Sequence, residues 1–153
     1  MRLTVKSEYA IRALAELAAR SHGGALVTAE ELASAQDIPR RFLLGILAEL
    51  RKAGLVISHR GVDGGYTLSQ LPEQVTLADI IRAVEGPLAR IGDERPGEIT
   101  YVGAATVLAD VWVAVRASLR AVLEEVTLAD LVAGRLPPSV GRLTDDPAAW
   151  QRR

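Results

Sequence analysis

Between Thr28 and Leu68 the apolar period of the chain switches from helical to alternating, and that switch narrows the folds open to it. Thr28-Ala29-Glu30-Glu31 is a capping box: the threonine oxygen and the glutamate three residues on satisfy orphan backbone donors at a helix start. A short helix is expected from about Ala29 to Ala35. Gln36-Asp37-Ile38 makes a tight connection, and Pro39 suits the first turn of a second helix, where its missing N–H would be unpaired anyway. That helix, spanning residues 39–53, carries Phe42, Leu43, Ile46, Leu47 and Leu50 as its apolar face. Two β-prone runs, Leu55–His59 and Tyr66–Ser69, then flank the turn Arg60-Gly61-Val62-Asp63-Gly64-Gly65, which is the pattern of a hairpin.

The flanking segments are helical. From Ser7, read as the N-cap, to Arg20 the residues Tyr9, Ala10, Ala13, Leu14, Leu17 and Ala18 recur at three- and four-residue spacing, and Ser21-His22-Gly23-Gly24 ends the run. Thr76-Leu77-Ala78-Asp79 opens a helix through Val84, closed by Gly86-Pro87. Residues 86–101 hold three glycines and two prolines without a period and read as a loop. A long helix is expected from about Gly103 to Glu125, striped by Val107, Leu108, Val111, Trp112, Val115, Leu119, Val122 and Leu123. Thr127-Leu128-Ala129-Asp130 starts a short last helix and echoes Thr76-Leu77-Ala78-Asp79 through shared capping chemistry, with no structural repeat implied. From Pro137 the chain reads as a poorly ordered tail.

The fold class expected is mainly α with a small β-hairpin: a winged helix-turn-helix domain plus a long dimerisation helix. The units are a winged helix-turn-helix at 1–86, a loop at 87–102, the long and short helices at 103–136, and a disordered tail at 137–153. With 49% hydrophobic residues over 153 positions, disorder as the whole answer is excluded. Neither a long uncharged apolar run nor a signal-peptide pattern is present, so a cytoplasmic protein is expected, on the nucleoid when bound to DNA and without a membrane partner.

Net charge is −1, but the average hides its distribution. Residues 1–60 hold nine Lys and Arg against six Asp and Glu, whereas residues 61–153 hold nine against thirteen. The basic surplus therefore sits with the helix pair and the glycine-rich turn. Arg40 and Arg41 lie at the N-terminal end of the second helix, where guanidinium groups reach guanine edges or phosphates. A helix pair with solvated arginines is equally expected of any compact helical domain. The hairpin separates the two readings, because a wing directly after a helix-turn-helix puts Arg60 where a minor groove attracts an inserted arginine. A dinucleotide site is disfavoured, since these glycines lead from strand to strand and not into a helix.

Met1-Arg2-Leu3-Thr4 with Tyr9-Ala10, the segment Leu50-Arg51-Lys52-Ala53-Gly54-Leu55-Val56, the wing Arg60-Gly61 to Gly64-Gly65-Tyr66-Thr67-Leu68, and Val75 to Gly86 resemble the Rrf-two family of bacterial transcriptional regulators, over about residues 1–135. The resemblance implies a homodimeric winged-helix regulator, a repressor, bound to double-stranded DNA at an inverted-repeat operator. It places DNA contacts among Arg40, Arg41, Phe42, Gly45, Arg51, Lys52, Arg60, Gly61, Gly64 and Gly65. For Lys52 a solvated helix end is an equal alternative. The dimer interface implied is Leu108, Val111, Trp112, Val115, Leu119 and Val122, although the long helix could instead fold back on its own domain. The family's sensor position falls at the loop, where Tyr101 and Trp112 form a candidate pocket for a small-molecule or protein effector, with dimer core the other reading of Trp112.

The chain departs from the family in one respect. It has no cysteine, which excludes a disulfide, a thiolate nucleophile and a cysteine-ligated iron–sulfur cluster. Glu8 stands where some members supply a non-cysteine ligand, but one carboxylate cannot hold a cluster, and a solvated first-turn acid is the simpler reading. His22 and His59 lack ligand partners at recognisable spacing, so neither metal nor cofactor is expected. No nucleophile, base and orienting group appear together, so no enzyme is expected. The alternative from another class is a winged-helix interaction module controlled by a protein partner, with weak DNA binding.

Overall fold

A computed structural model describes residues 3–89, 94 and 97–151. Seven α-helices of these residues surround one two-stranded hairpin: α1 Val5–Arg20, α2 Ala29–Gln36, α3 Arg40–Lys52, β1 Val56–His59, β2 Gly65–Leu68, α4 Leu77–Glu85, α5 Leu108–Leu123, α6 Leu128–Ala133 and α7 Pro138–Thr144. The order helix, helix, helix, hairpin, helix is that of a winged helix-turn-helix.

Helix α1 is the spine. Its buried residues Ala10, Ala13, Leu14, Leu17 and Ala18 meet α2, α3, α4 and α6, and the core is completed by Leu32, Leu43, Leu47, Leu50, Val56, Val75, Ile80 and Leu128. The helix begins one turn before Ser7. Thr4 is the N-cap, its Oγ1 accepting the Ser7 N–H at 3.1 Å, while Ser7 is itself buried against the core. A serine one turn inside the helix mimics a cap in sequence because both positions are followed by apolar residues at helical spacing.

Strands β1 and β2 pair antiparallel, from Val56 opposite Leu68 to His59 opposite Gly65. Val27 extends the sheet by a bridge to Tyr66, with Tyr66 N–H donating to the Val27 carbonyl at 2.8 Å and Val27 N–H to the Tyr66 carbonyl at 3.1 Å. These bonds pin the base of the wing to the segment leading into α2.

Three expectations change. Helix α5 starts at Leu108 because Gly103 adopts the left-handed conformation, φ +60°, and Gly103–Ala105 forms a separate 3-10 turn. Helix α6, grouped with the long helix at 103–136 from the sequence, packs on α1, and its Leu128 is fully buried in the winged-helix core. Residues beyond Pro137 form α7 and a further 3-10 turn, Pro147–Trp150, with Val140 buried.

The echoed capping segments stand side by side. Thr76 and Thr127 form an antiparallel bridge, with the Leu77 N–H donating to the Val126 carbonyl and the Leu128 N–H to the Val75 carbonyl, both at 3.0 Å. Shared capping chemistry is real as well: each threonine caps its helix in a box with Asp79 or Asp130.

Candidate nucleic-acid interface

Helix α3 presents two unlike faces. Leu43, Ile46, Leu47 and Leu50 are buried, whereas Arg41, Gly45, Ala48 and Lys52 lie exposed on the opposite side. Phe42, read from the sequence as part of the apolar face, is 64% exposed and flanks this outer surface, with Leu44 at 38% on the other flank. Phe42 stands at the margin of the arc formed by Leu43, Ile46, Leu47 and Leu50, so helical spacing alone does not bury it.

The start of α3 differs from those of α2, α4 and α6. Those three begin with a threonine capping box and an acid in the first turn, and the acids Glu31 and Asp130 are held below the usual carboxylate range by hydrogen bonds from the backbone and then the side chain of Thr28 and Thr127. Helix α3 begins at Pro39 with no side-chain cap and no first-turn acid. It carries Arg40 and Arg41 instead, against the helix dipole at a cost of about 0.3–1 kcal/mol per charge. Its open N–H groups and cations favour an anion at this end.

The wing is shaped by backbone constraints. Gly61 sits at φ +113°, which an L side chain rarely adopts. A Cβ on Gly64 would run into the His59 carbonyl oxygen and lie 2.9 Å from that of Gly61, and one on Gly65 would lie 2.9 Å from the Val27 carbonyl. Both glycines thus close the hairpin and seat it on Val27. Arg60 and Val62 project from the tip into solvent.

The pairing of the cations divides this domain in two. Lys6 pairs with Glu49 at 3.2 Å, Arg12 with Glu8 at 3.5 Å, Arg20 with Glu16, and Arg40 with Glu30 at 3.0 Å. Arg41, Arg51, Lys52 and Arg60 have no ion-pair partner among the described residues, and all four belong to α3 or the wing. An exposed unpaired cation retains its full charge for a phosphate.

At the other end of the chain, none of the α5 residues is buried. Val111 is 47% exposed, and Leu108, Trp112, Val115, Leu119 and Val122 are half-buried. Leu123 folds back on the cluster of Ala78, Ile81 and Leu88, so the helix leans on its own domain at one end while its apolar stripe stays incompletely covered. Glu124 anchors that end, accepting from Arg120 at 2.9 Å and from Arg82, which together hold its carboxyl down at about 2.

Tyr101 and Trp112 are half-buried, and Trp112 Nε1 is buried without an acceptor among the described residues. A cavity of about 340 Å³ opens nearby between Arg82, Gly86, Pro87, Leu88, Arg116 and Arg120, and neither aromatic lines it. Of the expected sensor loop, residues 90–93 and 95–96 lie outside the described residues.

Taken as a class, the fold and this basic, unpaired surface define a winged helix-turn-helix DNA-binding regulator. The sequence profile of the Rrf2 family, described as iron-dependent transcriptional regulators, matches residues 3–134, and the chain belongs to that family. A Mycobacterium tuberculosis protein, provisionally named an HTH-type transcriptional regulator, is 48% identical over 151 residues, covering 99% of this chain and 93% of the relative. CymR of Bacillus subtilis is 32% identical, covering 87% and 91% respectively. Its structure, described as that of the global cysteine regulator, matches at TM-score 0.71 with 31% identity over 88% of this chain and 98% of CymR. That of IscR from T. potens matches at 0.68 with 30% identity over 100% of this chain and 93% of the other.

The iron dependence in the family description meets a poor donor set here. The chain has no cysteine, and among the described residues no three His, Cys, Asp or Glu side chains stand together to hold a metal ion. Glu8 is engaged by Arg12, and the His59 Nε2 lies 3.4 Å from Thr67 Oγ1. These residues do not fit a cysteine-ligated iron–sulfur cluster. Among the described residues no helix is long and apolar enough to cross a membrane.

Proposed function

We propose that the chain is a homodimeric, sequence-specific DNA-binding repressor of the cytoplasm that works without a cysteine-ligated cluster. The observation that carries this reading is the segregation of cations: among the described residues those elsewhere on the winged helix are paired, whereas those of α3 and the wing, Arg40 apart, are not. In this reading α3 enters a major groove by its N-terminal end, Arg60 follows a minor groove, Arg51 and Lys52 contact phosphates, and Gly61, Gly64 and Gly65 bring the wing backbone close to the sugar-phosphate chain. The DNA-binding unit is residues 1–86, with α6 completing its core.

The incompletely covered stripe of α5 supports dimerisation through Leu108, Val111, Trp112, Val115, Leu119 and Val122, because an apolar face of this length is stabilised by a second surface. An effector, a small molecule or a protein, is assigned to the junction of the loop and α5 at Tyr101 and Trp112, supported by the buried Trp112 Nε1, which has no acceptor among the described residues.

Selection of bound fragments from the genome of the source organism, followed by footprinting, tests the reading. An inverted repeat bound with steep salt dependence is expected, the slope falling by about 0.9 for each phosphate-contacting cation removed. Arg60→Ala is expected to cost about 1–3 kcal/mol on the selected site. Binding indifferent to salt, or an Arg60→Ala variant with unchanged affinity, would refute it.

A further inference from the structure

Helix α3 is poor in the groups that usually read base edges. From Arg40 to Lys52 it holds no Ser, Thr, Asn, Gln, Asp or His. Of its five charged side chains, Arg40 is paired with Glu30 at 3.0 Å and Glu49 with Lys6 at 3.2 Å, while Arg51 and Lys52 lie at its far end. In the first two turns, Arg41 is the only polar side chain without a partner among the described residues. Around it the outer surface is apolar: Phe42 is 64% exposed, Leu44 is 38% exposed, Ala48 is exposed, and a Cβ on Gly45 would meet nothing within 4 Å.

Bidentate recognition of adenine calls for Asn or Gln, and the amino group of cytosine calls for a carboxylate. Asn and Gln are absent from this helix, and its one carboxylate, Glu49, is paired with Lys6. Arginine suits guanine, and apolar side chains suit the 5-methyl group of thymine. Gly45 and Ala48 leave the middle of the helix without bulk, which lets it lie deep enough for its flanks to touch the groove floor.

We infer that α3 reads 5-methylpyrimidines: Phe42 and Leu44 pack on the methyl groups of the operator while Arg41 takes a guanine edge. The inference rests on the DNA-binding reading of α3. Thymine is the ordinary source of that methyl group, and 5-methylcytosine presents the same one at the same place in the groove.

The test uses the full chain and the footprinted fragment. Each thymine of a half-site is replaced in turn by deoxyuridine, which removes the methyl group alone, and affinity is measured at fixed salt for the native chain and for a Phe42→Ala, Leu44→Ala variant. At the contacted thymines the native chain is expected to lose about fourfold per methyl group. The variant should be weaker on the native fragment and indifferent to deoxyuridine. At the same positions, a 5-methylcytosine pair should bind the native chain more tightly than an unmethylated cytosine pair by a similar factor. Affinity unchanged by deoxyuridine throughout the half-site, or equal losses in native chain and variant, would overturn the inference while leaving DNA binding intact. Recovery of no salt-sensitive fragment would instead overturn the DNA-binding reading and the inference with it.

Discussion

Helices α1 and α5 are each 16 residues long and both amphipathic, yet α1 has six buried residues and α5 has none. The difference is one of surroundings. Helix α1 is enclosed by α2, α3, α4 and α6, whereas α5 touches its own domain mainly through Leu123, Glu124 and the chain just before it. Equal patterning therefore does not imply equal burial within one chain. The apolar stripe of α5 is left incompletely covered by the rest of its own chain.

That contrast can be broken by mutation. Leu14→Ala in α1 empties a fully buried position and is expected to cost about 2–5 kcal/mol in denaturant unfolding. Leu119→Ala in half-buried α5 should cost far less at high dilution, and comparable losses at both positions in dilute protein would remove the contrast.

A second test reads association. The native chain should show a melting temperature that rises with protein concentration, as expected when assembly stabilises the folded state. Val111→Glu, at a 47% exposed position, should abolish that rise and sediment as a single copy with its helical content unchanged. A variant that still sediments as a dimer would take Val111 out of the interface.

The smallest effect concerns the foot of α5. The Glu124 carboxyl is held near 2 by hydrogen bonds from Arg120 and then Arg82, below its ordinary 4.5. A depressed carboxyl stabilises the fold above its ordinary pKa, and the contribution is lost as pH falls from about 4.5 through 2. Melting temperature should thus decline across that window, slightly less steeply in Glu124→Gln. The change is modest because the group is exposed and screened by solvent. An identical slope in the variant would remove Glu124 from the acid response.

The sequence made the winged helix legible and the rest less so, for reasons visible at particular residues. The capping boxes at Thr28, Thr76 and Thr127 are local chemistry, so the helix starts they announce are where the structure has them. Hairpin register follows from the short glycine-rich turn. Phe42 has the right spacing for the core but no neighbour to bury it, and that is a tertiary fact. Burial of Leu128 beside α1 and the folding of residues 138–144 into α7 likewise depend on contacts distant in sequence. The pairing of Arg40 with Glu30 singles out Arg41 as the unpaired arginine of the first turn, which composition alone could not do.

The bridge between Thr76 and Thr127 has a mechanical consequence. It fastens the starts of α4 and α6 together by two backbone hydrogen bonds, one of them to Val126, three residues after the last residue of α5. The end of α5 is thus joined through the main chain to the root of α4, and α4 packs against α3.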